Sequence, residues 1–166
     1  MKSLLVVGLT LAFAFQFAWA APKVELRGPA SPTATPEEII EQFEKTWAGI
    51  AVAVKDADSK LKEILSGNEI LPQVEKLMFD AEFVIATLAS GALNELIENP
   101  RVDQRQLVTD VLRQTGIIVV QTISDIEQVL SNIPYEIQLQ VWDVFTVLLV
   151  ECEAQIDPLV DLIEQN

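Results

Sequence analysis

The chain has 166 residues, half of them hydrophobic, and its 25 acidic and 11 basic residues give a net charge of −14. This charge repels nucleic acid and anionic membrane surfaces, so neither is an expected partner. Histidine is absent and cysteine occurs once, which excludes the common catalytic triads, Cys–His pairs and the usual zinc sites. The totals therefore predict a protein that is not an enzyme, with no catalytic residues, metal or cofactor.

Residues 1–20 have the layout of a secretory signal peptide. Lys2 provides a basic start, an apolar run follows from Leu4 to Phe15, and Ala18-Trp19-Ala20 is a small–x–small cleavage sequence. The apolar run is too short for a membrane anchor and lacks stop-transfer charges. We therefore predict a secreted, extracellular protein that is not integral to a membrane. Cleavage after Ala20 removes Lys2 and no acidic residue, so the mature net charge becomes −15.

Residues 21–35 are rich in proline and small polar residues, which predicts a flexible leader. Thr35-Pro36-Glu37-Glu38 then predicts a helix start, with Thr35 and Glu38 forming a capping box and Pro36 in the first turn. Apolar residues follow at alternating three- and four-residue steps, which predicts a first helix over about 36–66.

Three further amphipathic helices are predicted by the same apolar spacing, over about 71–98, 103–132 and 134–164. Pro158 is expected to kink or interrupt the last of them. The connections are short, so neighbouring helices should be antiparallel. The sequence therefore predicts one all-α domain over 36–166, an up-down-up-down bundle of four long helices.

Two short sequences resemble catalytic or metal-binding motifs, but each lacks residues that its motif requires. Ser59 and Lys62 match Ser-x-x-Lys, but the companion elements of that enzyme class are missing. Asp56 and Asp58 resemble the start of a calcium loop, yet Leu61 and Gly67 stand where its glycine and closing glutamate belong. A free cysteine, Cys152, falls on the apolar stripe of the fourth helix and should be buried, although a link between two chains is the alternative.

Two predicted helices carry apolar residues away from their core-facing stripes. Ile117 and Val120 belong to the third helix, and Val147 and Val150 to the fourth. If these helices are antiparallel about Ile133-Pro134, the four residues lie at one height and form a small apolar patch for self-association or a partner. Ordinary scattered exposure of apolar side chains is the alternative interpretation.

Two hypotheses of function follow. The first is a carrier or binder of an apolar, lipid-like ligand enclosed by the long stripes, with a lining formed by Trp47, Phe79, Trp142, Phe145 and Cys152. The second is an extracellular interaction or structural protein that acts through its acidic surface and the small apolar patch. Its partner would be a second copy of the chain or a basic protein, since residues 114–166 contain nine acidic residues and no Lys or Arg.

Overall fold

The computed structural model describes residues 34–99 and 101–164, and these residues form four α-helices and no strand. The helices are α1 (Pro36–Ile64), α2 (Leu71–Glu98), α3 (Gln104–Leu130) and α4 (Tyr135–Glu164). The prediction of an all-α helical bundle is confirmed. The predicted signal peptide (1–20) and most of the predicted leader (21–33) lie outside the described residues.

The start of α1 is set by the predicted capping box. The Thr35 backbone N–H donates to Glu38 Oε2 at 2.8 Å, and the Glu38 backbone N–H donates to Thr35 Oγ1 at 3.3 Å. These two bonds satisfy N–H groups that a helix start otherwise leaves unpaired. The bond from the Thr35 N–H also holds the pKa of the Glu38 carboxyl below its ordinary value.

All eight ends of the four described helices lie within two residues of their predicted positions. Helix α1 ends at Ile64 rather than residue 66, and Gly67 follows with a φ of 76°, in the left-handed region that glycine adopts without strain. Helix α3 begins at Gln104 because Asp103 is its N-cap, whose side chain accepts from the Gln106 N–H at 2.9 Å. Helix α4 runs unbroken through Pro158 to Glu164, so the proline does not interrupt it.

The helices pack unequally. Contact is most extensive between α1 and α4 and next between α2 and α3, whereas the α1–α2 and α3–α4 contacts are smaller. The α1–α4 contact is close because Gly49 leaves room for the Gln155 side chain, which would collide with a Cβ at that position. The buried Thr46 hydroxyl also donates to the Gln155 carbonyl at 3.0 Å, and this bond ties the two helices together.

The core consists of two clusters of buried side chains, one in each half of the helices. The terminal cluster joins the first half of α1 and α3 to the second half of α2 and α4. The hairpin cluster joins the second half of α1 and α3 to the first half of α2 and α4. Half-buried Val54 and Cys152 pack against both. The terminal cluster comprises Ile39, Phe43, Ile50, Ala89, Ala92, Leu96, Val108, Val111, Leu112, Ile156, Leu159 and Ile163. The hairpin cluster comprises Ala53, Ala57, Leu61, Leu65, Val74, Met78, Ile126, Leu130, Val141, Val144, Phe145 and Leu148.

Candidate functional site

The small apolar patch expected from the sequence is mostly exposed. Ile117 is 57% exposed and Val150 is 60% exposed, Val147 is also exposed, and Val120 is half-buried. These residues lie on α3 and α4, the two adjacent helices with the least contact. Exposure alone does not distinguish an interaction patch from scattered surface side chains.

The residues predicted to line an enclosed ligand are mostly parts of the core. Phe145 is buried in the hairpin cluster, with the half-buried Trp142 ring edge-on to it at 6.1 Å between centroids. The half-buried Trp47 packs against the terminal cluster, with its ring 5.8 Å from that of Phe43. These contacts between rings fill space inside the bundle.

Phe79 was predicted to belong to that core lining, but the structure places it outside the core. It is 65% exposed and lies outside both core clusters. The neighbouring Met78 faces the hairpin cluster, and a helix turns about 100° per residue, so Phe79 points away from the core. Val84, which the sequence pattern places on the core-facing stripe of α2, is also exposed.

Cys152 is half-buried and packs against both core clusters, so it is less buried than its position on the apolar stripe predicts. Burial, with a smaller contribution from the Glu151 charge, raises the pKa of its thiol to about 11. Thiolate is the nucleophilic form, so this environment opposes both reactivity and disulfide formation at neutral pH.

We predict that Cys152 reacts slowly with a thiol reagent in the native protein. Because its pKa of about 11 exceeds the ordinary 9.0, the thiolate population near neutral pH is about 100-fold lower than in the unfolded chain. The measurement compares the rates of Ellman's reagent with native protein and with protein in urea, using Cys152→Ser as the blank. Equal native and unfolded rates would show that the thiol is accessible and its environment is not apolar.

Two buried polar atoms have no hydrogen-bond partner among the described residues, Trp47 Nε1 and Thr115 Oγ1. Along α2 and α3, the half-buried residues Ile85, Leu88, Ile118 and Val119 fall between the stretches that supply the two core clusters. We call these four residues the middle layer. Buried polar groups normally have hydrogen-bond partners, so Trp47 Nε1 and Thr115 Oγ1 are candidate contacts for a polar ligand group.

A shallow groove of about 200 Å³ runs between α1 and α2. Lys62 crosses one end of it, with its ammonium 2.7 Å from Asp58 and 3.5 Å from Glu75 of α2. The bond and charge of Asp58 raise the pKa of Lys62. The groove is smaller than the cavities of about 300–1,000 Å³ that enclose small-molecule ligands. Its lining consists of Val54, Asp58, Lys62, Glu75, Met78, Phe79 and Glu82.

Helix α2 carries a second apolar stripe that is largely exposed, which we call the outer stripe. Phe79 and Phe83 are each 65% exposed, and Ile97 is 57% exposed. Ala86 and Ser90 are exposed between them, whereas Leu93 is half-buried and packs against the terminal cluster. The outer stripe therefore consists of Phe79, Phe83, Ala86, Ser90, Leu93 and Ile97, and Leu93 lies at its border with the core-facing residues Val74, Met78, Ala89, Ala92 and Leu96.

The charges of α2 are confined to its two ends. Its acidic and basic residues precede Phe83 or follow Asn94, and Lys76 forms an ion pair with Asp80 within the helix. Helix α2 is long and apolar enough to span a membrane by length and composition, while only 17% of its most apolar stretch is buried. A helix that is apolar on two sides normally buries both.

Sequence reasoning missed Phe83 and Ile97 as surface residues. The outer-stripe positions are spaced by four, three, four, three and four residues, which is detectable in the sequence. The core-facing stripe interleaves with them, so the pattern resembles one broad apolar helix. Only the positions of α1 and α3 show which stripe is covered.

Within the described residues, no group of three or more Asp, Glu or Cys side chains is placed to hold a metal ion. Comparisons with protein-family models, with curated proteins and with solved structures find no match for this chain. Its function must therefore be inferred from its own residues.

Proposed function

We propose that this protein is a secreted, non-enzymatic interaction protein that binds its partner through the outer stripe. The exposure of Phe79, Phe83 and Ile97 is the observation that carries this proposal. Large apolar side chains placed in line on one helix are typical of a surface that another molecule covers. The two core clusters are already well buried without them.

The titratable groups support binding rather than catalysis. Among the described residues, the groups with shifted pKa values are Glu38 in a helix cap, Lys62 in a surface ion pair and the half-buried Cys152 between the two core clusters. Active sites instead bring perturbed groups together in one cleft. The absence of histidine from the sequence points the same way.

The proposed topology is up-down-up-down. Each core cluster combines the early half of α1 and α3 with the late half of α2 and α4, or the reverse, as antiparallel neighbours would. This arrangement places the outer stripe on a helix held on one side by α1 and on another by α3. The signal peptide predicted at residues 1–20 supports an extracellular partner.

A second candidate function is a carrier of an apolar ligand with a polar head, bound near the middle layer. The unpaired Trp47 Nε1 and Thr115 Oγ1 favour it, because each could donate a hydrogen bond to a ligand oxygen. The middle-layer residues would supply the apolar surroundings, and the smaller α1–α2 and α3–α4 contacts would allow entry. The dense packing of Phe145 and Phe43 supports the first proposal instead.

The test measures fluorescence of the apolar dye bis-ANS with the dilute mature protein. Phe79→Ser/Phe83→Ser should lower dye binding several-fold, because it removes the two largest exposed side chains. The matched control is Val52→Ser/Ile117→Ser, which removes two side chains that are 61% and 57% exposed. Serine and the aromatic residues have similar helix propensities, so helix content should be preserved.

Each outcome separates the candidates. A larger loss in the control would assign dye binding to Val52 or Ile117 instead of the outer stripe. Equal dye binding in all three proteins, with loss in Thr115→Val, would overturn the proposal in favour of the carrier. In that case the dye should also quench the fluorescence of Trp47, which with Trp142 makes up the tryptophans of residues 21–166.

A further inference from the structure

We propose that the occupant of the outer stripe is a second copy of this chain, whose α2 lies antiparallel across a two-fold axis near Leu88. This inference rests on the proposed binding role of the outer stripe and adds the identity of the partner. It depends on three observations: the spacing of the stripe, the order of its large and small residues, and the charges beside it.

The spacing of the outer stripe is that of a coiled-coil seam. Phe79, Ala86 and Leu93 are seven residues apart, and Phe83, Ser90 and Ile97 form a second set with the same repeat. A seven-residue repeat keeps one side of a helix against a partner helix along its whole length. A small ligand or a flat lipid surface does not require such a repeat.

The order of residues in the stripe is self-complementary in the antiparallel direction. With the axis near Leu88, Phe79 of one copy meets Ile97 of the other, and Phe83 meets Leu93. At the centre, Ala86 meets Ser90, so the two backbones can approach closely where the side chains are small. Each residue of the Phe79, Ala86 and Leu93 set therefore faces a residue of the Phe83, Ser90 and Ile97 set. Layers of an antiparallel helix pair require this alternation.

The flanking charges favour the antiparallel over the parallel pair. In the antiparallel register, Asp80 lies opposite Leu96 of the second copy and Glu82 lies opposite Asn94, so both carboxylates face uncharged residues. A parallel register would place Lys76 beside Lys76 and Asp80 beside Asp80. Like charges at one height oppose association, so the antiparallel direction is favoured over the parallel one.

The α1–α2 groove extends the contact surface. Phe79 belongs both to the outer stripe and to the groove lining, which continues onto Val54 of α1. The second copy can therefore cover the side of α2 that faces this groove as well as the stripe itself. This enlarges the contact beyond a single pair of helices and adds both apolar and charged groups to it.

The overall charge gives the proposed dimer a characteristic response to salt. Each chain carries −14, so two copies repel one another while the stretch of α2 from Phe83 to Asn94 is uncharged. Salt screens this repulsion and leaves the apolar contact intact. The dimer fraction should therefore rise with salt, whereas attraction to a basic protein would weaken.

The first experiment is sedimentation equilibrium of the mature protein over a range of concentrations and salt. The expected mass rises from one chain to two with concentration, and the transition shifts to lower concentration in high salt. Phe83→Ser should raise the dissociation constant at least tenfold, because it removes two aromatic contacts per dimer. Val52→Ser, whose side chain is equally exposed on α1, should leave the dissociation constant unchanged.

The second experiment tests the direction of the helices with disulfides in a Cys152→Ala background. Chains carrying Ala86→Cys are mixed with chains carrying Ser90→Cys and oxidised. The antiparallel pair predicts a mixed disulfide and little linkage of either chain to itself, since identical positions 86 are about 10 Å or more apart in this register. Ile97→Cys, whose copies should be about 27 Å apart, is the negative control.

Several results would overturn the dimer. If the chain stays monomeric at every concentration and the Phe79→Ser/Phe83→Ser variant loses dye binding, the outer stripe is a binding surface but its partner is not a second copy. Binding of that monomer to phosphatidylcholine vesicles through the same two residues would assign the stripe to a lipid surface. A dimer that Phe83→Ser leaves intact, or disulfides formed by Ile97→Cys with itself, would contradict the proposed contact and its direction.

Discussion

Phe43→Ala should lower the free energy of unfolding by about 3–5 kcal/mol, which is a large part of the stability of a domain of this size. Phe43 is only 1% exposed and belongs to the terminal cluster, where its ring lies beside that of Trp47. Truncation to alanine removes most of a buried ring and leaves a cavity that well-packed helices fill only partly. Urea denaturation followed by circular dichroism measures the loss.

The matched control is Phe83→Ala, the same chemical change on the outer stripe. Because Phe83 is exposed, the monomer should lose no more than about 0.5 kcal/mol, measured at concentrations below dimerisation. The slope of the unfolding free energy against urea should be unchanged in both variants. Equal losses in the two variants would mean that the terminal cluster is not the core of the protein.

Pro158→Ala should raise the free energy of unfolding by about 1–3 kcal/mol. Pro158 lies inside α4, lacks the N–H that would bond to the Ala154 carbonyl, and is exposed, so alanine loses little packing. Helix α4 already continues through this position, which means that alanine can adopt the same backbone. Thermal unfolding should show a higher midpoint, without a change in helix content.

Asp157→Ala is the control for the gain at Pro158. It introduces alanine at the adjacent exposed position of the same helix, where the backbone hydrogen bond does not depend on the substitution. Its effect should stay below about 0.7 kcal/mol, the spread of helix propensity among ordinary residues. A loss of stability in Pro158→Ala would show that the proline holds a bend on which the packing of Ile156 and Leu159 depends.

Much of the fold follows from local sequence. The capping box of Thr35 and Glu38 forms as expected, and the four helices lie close to their predicted bounds because apolar spacing and turn residues are local properties. The errors at the ends of α1 and α3 have local causes too. Helix α1 ends two residues early because Leu65 is its C-cap, and α3 begins one residue late because Asp103 is its N-cap.

The candidate site was harder to predict. Ile117, Val147 and Val150 are exposed, and Phe145 is buried, as expected from the helical spacing of α3 and α4. Phe79 was misplaced because α2 carries two interleaved apolar stripes. Local periodicity cannot say which stripe faces the bundle when both satisfy it.

The sequence by itself determined the helices, the acidic charge, the lack of histidine chemistry and the predicted export of this protein. These depend on residue identity and short-range spacing. Tertiary structure decided which apolar residues are covered. Helices α1 and α3 pack against the Met78 and Ala89 side of α2 and leave Phe79 and Phe83 in water. The physical reason is that burial depends on neighbouring helices far away in the sequence, so the outer stripe became visible only once the helices were assembled.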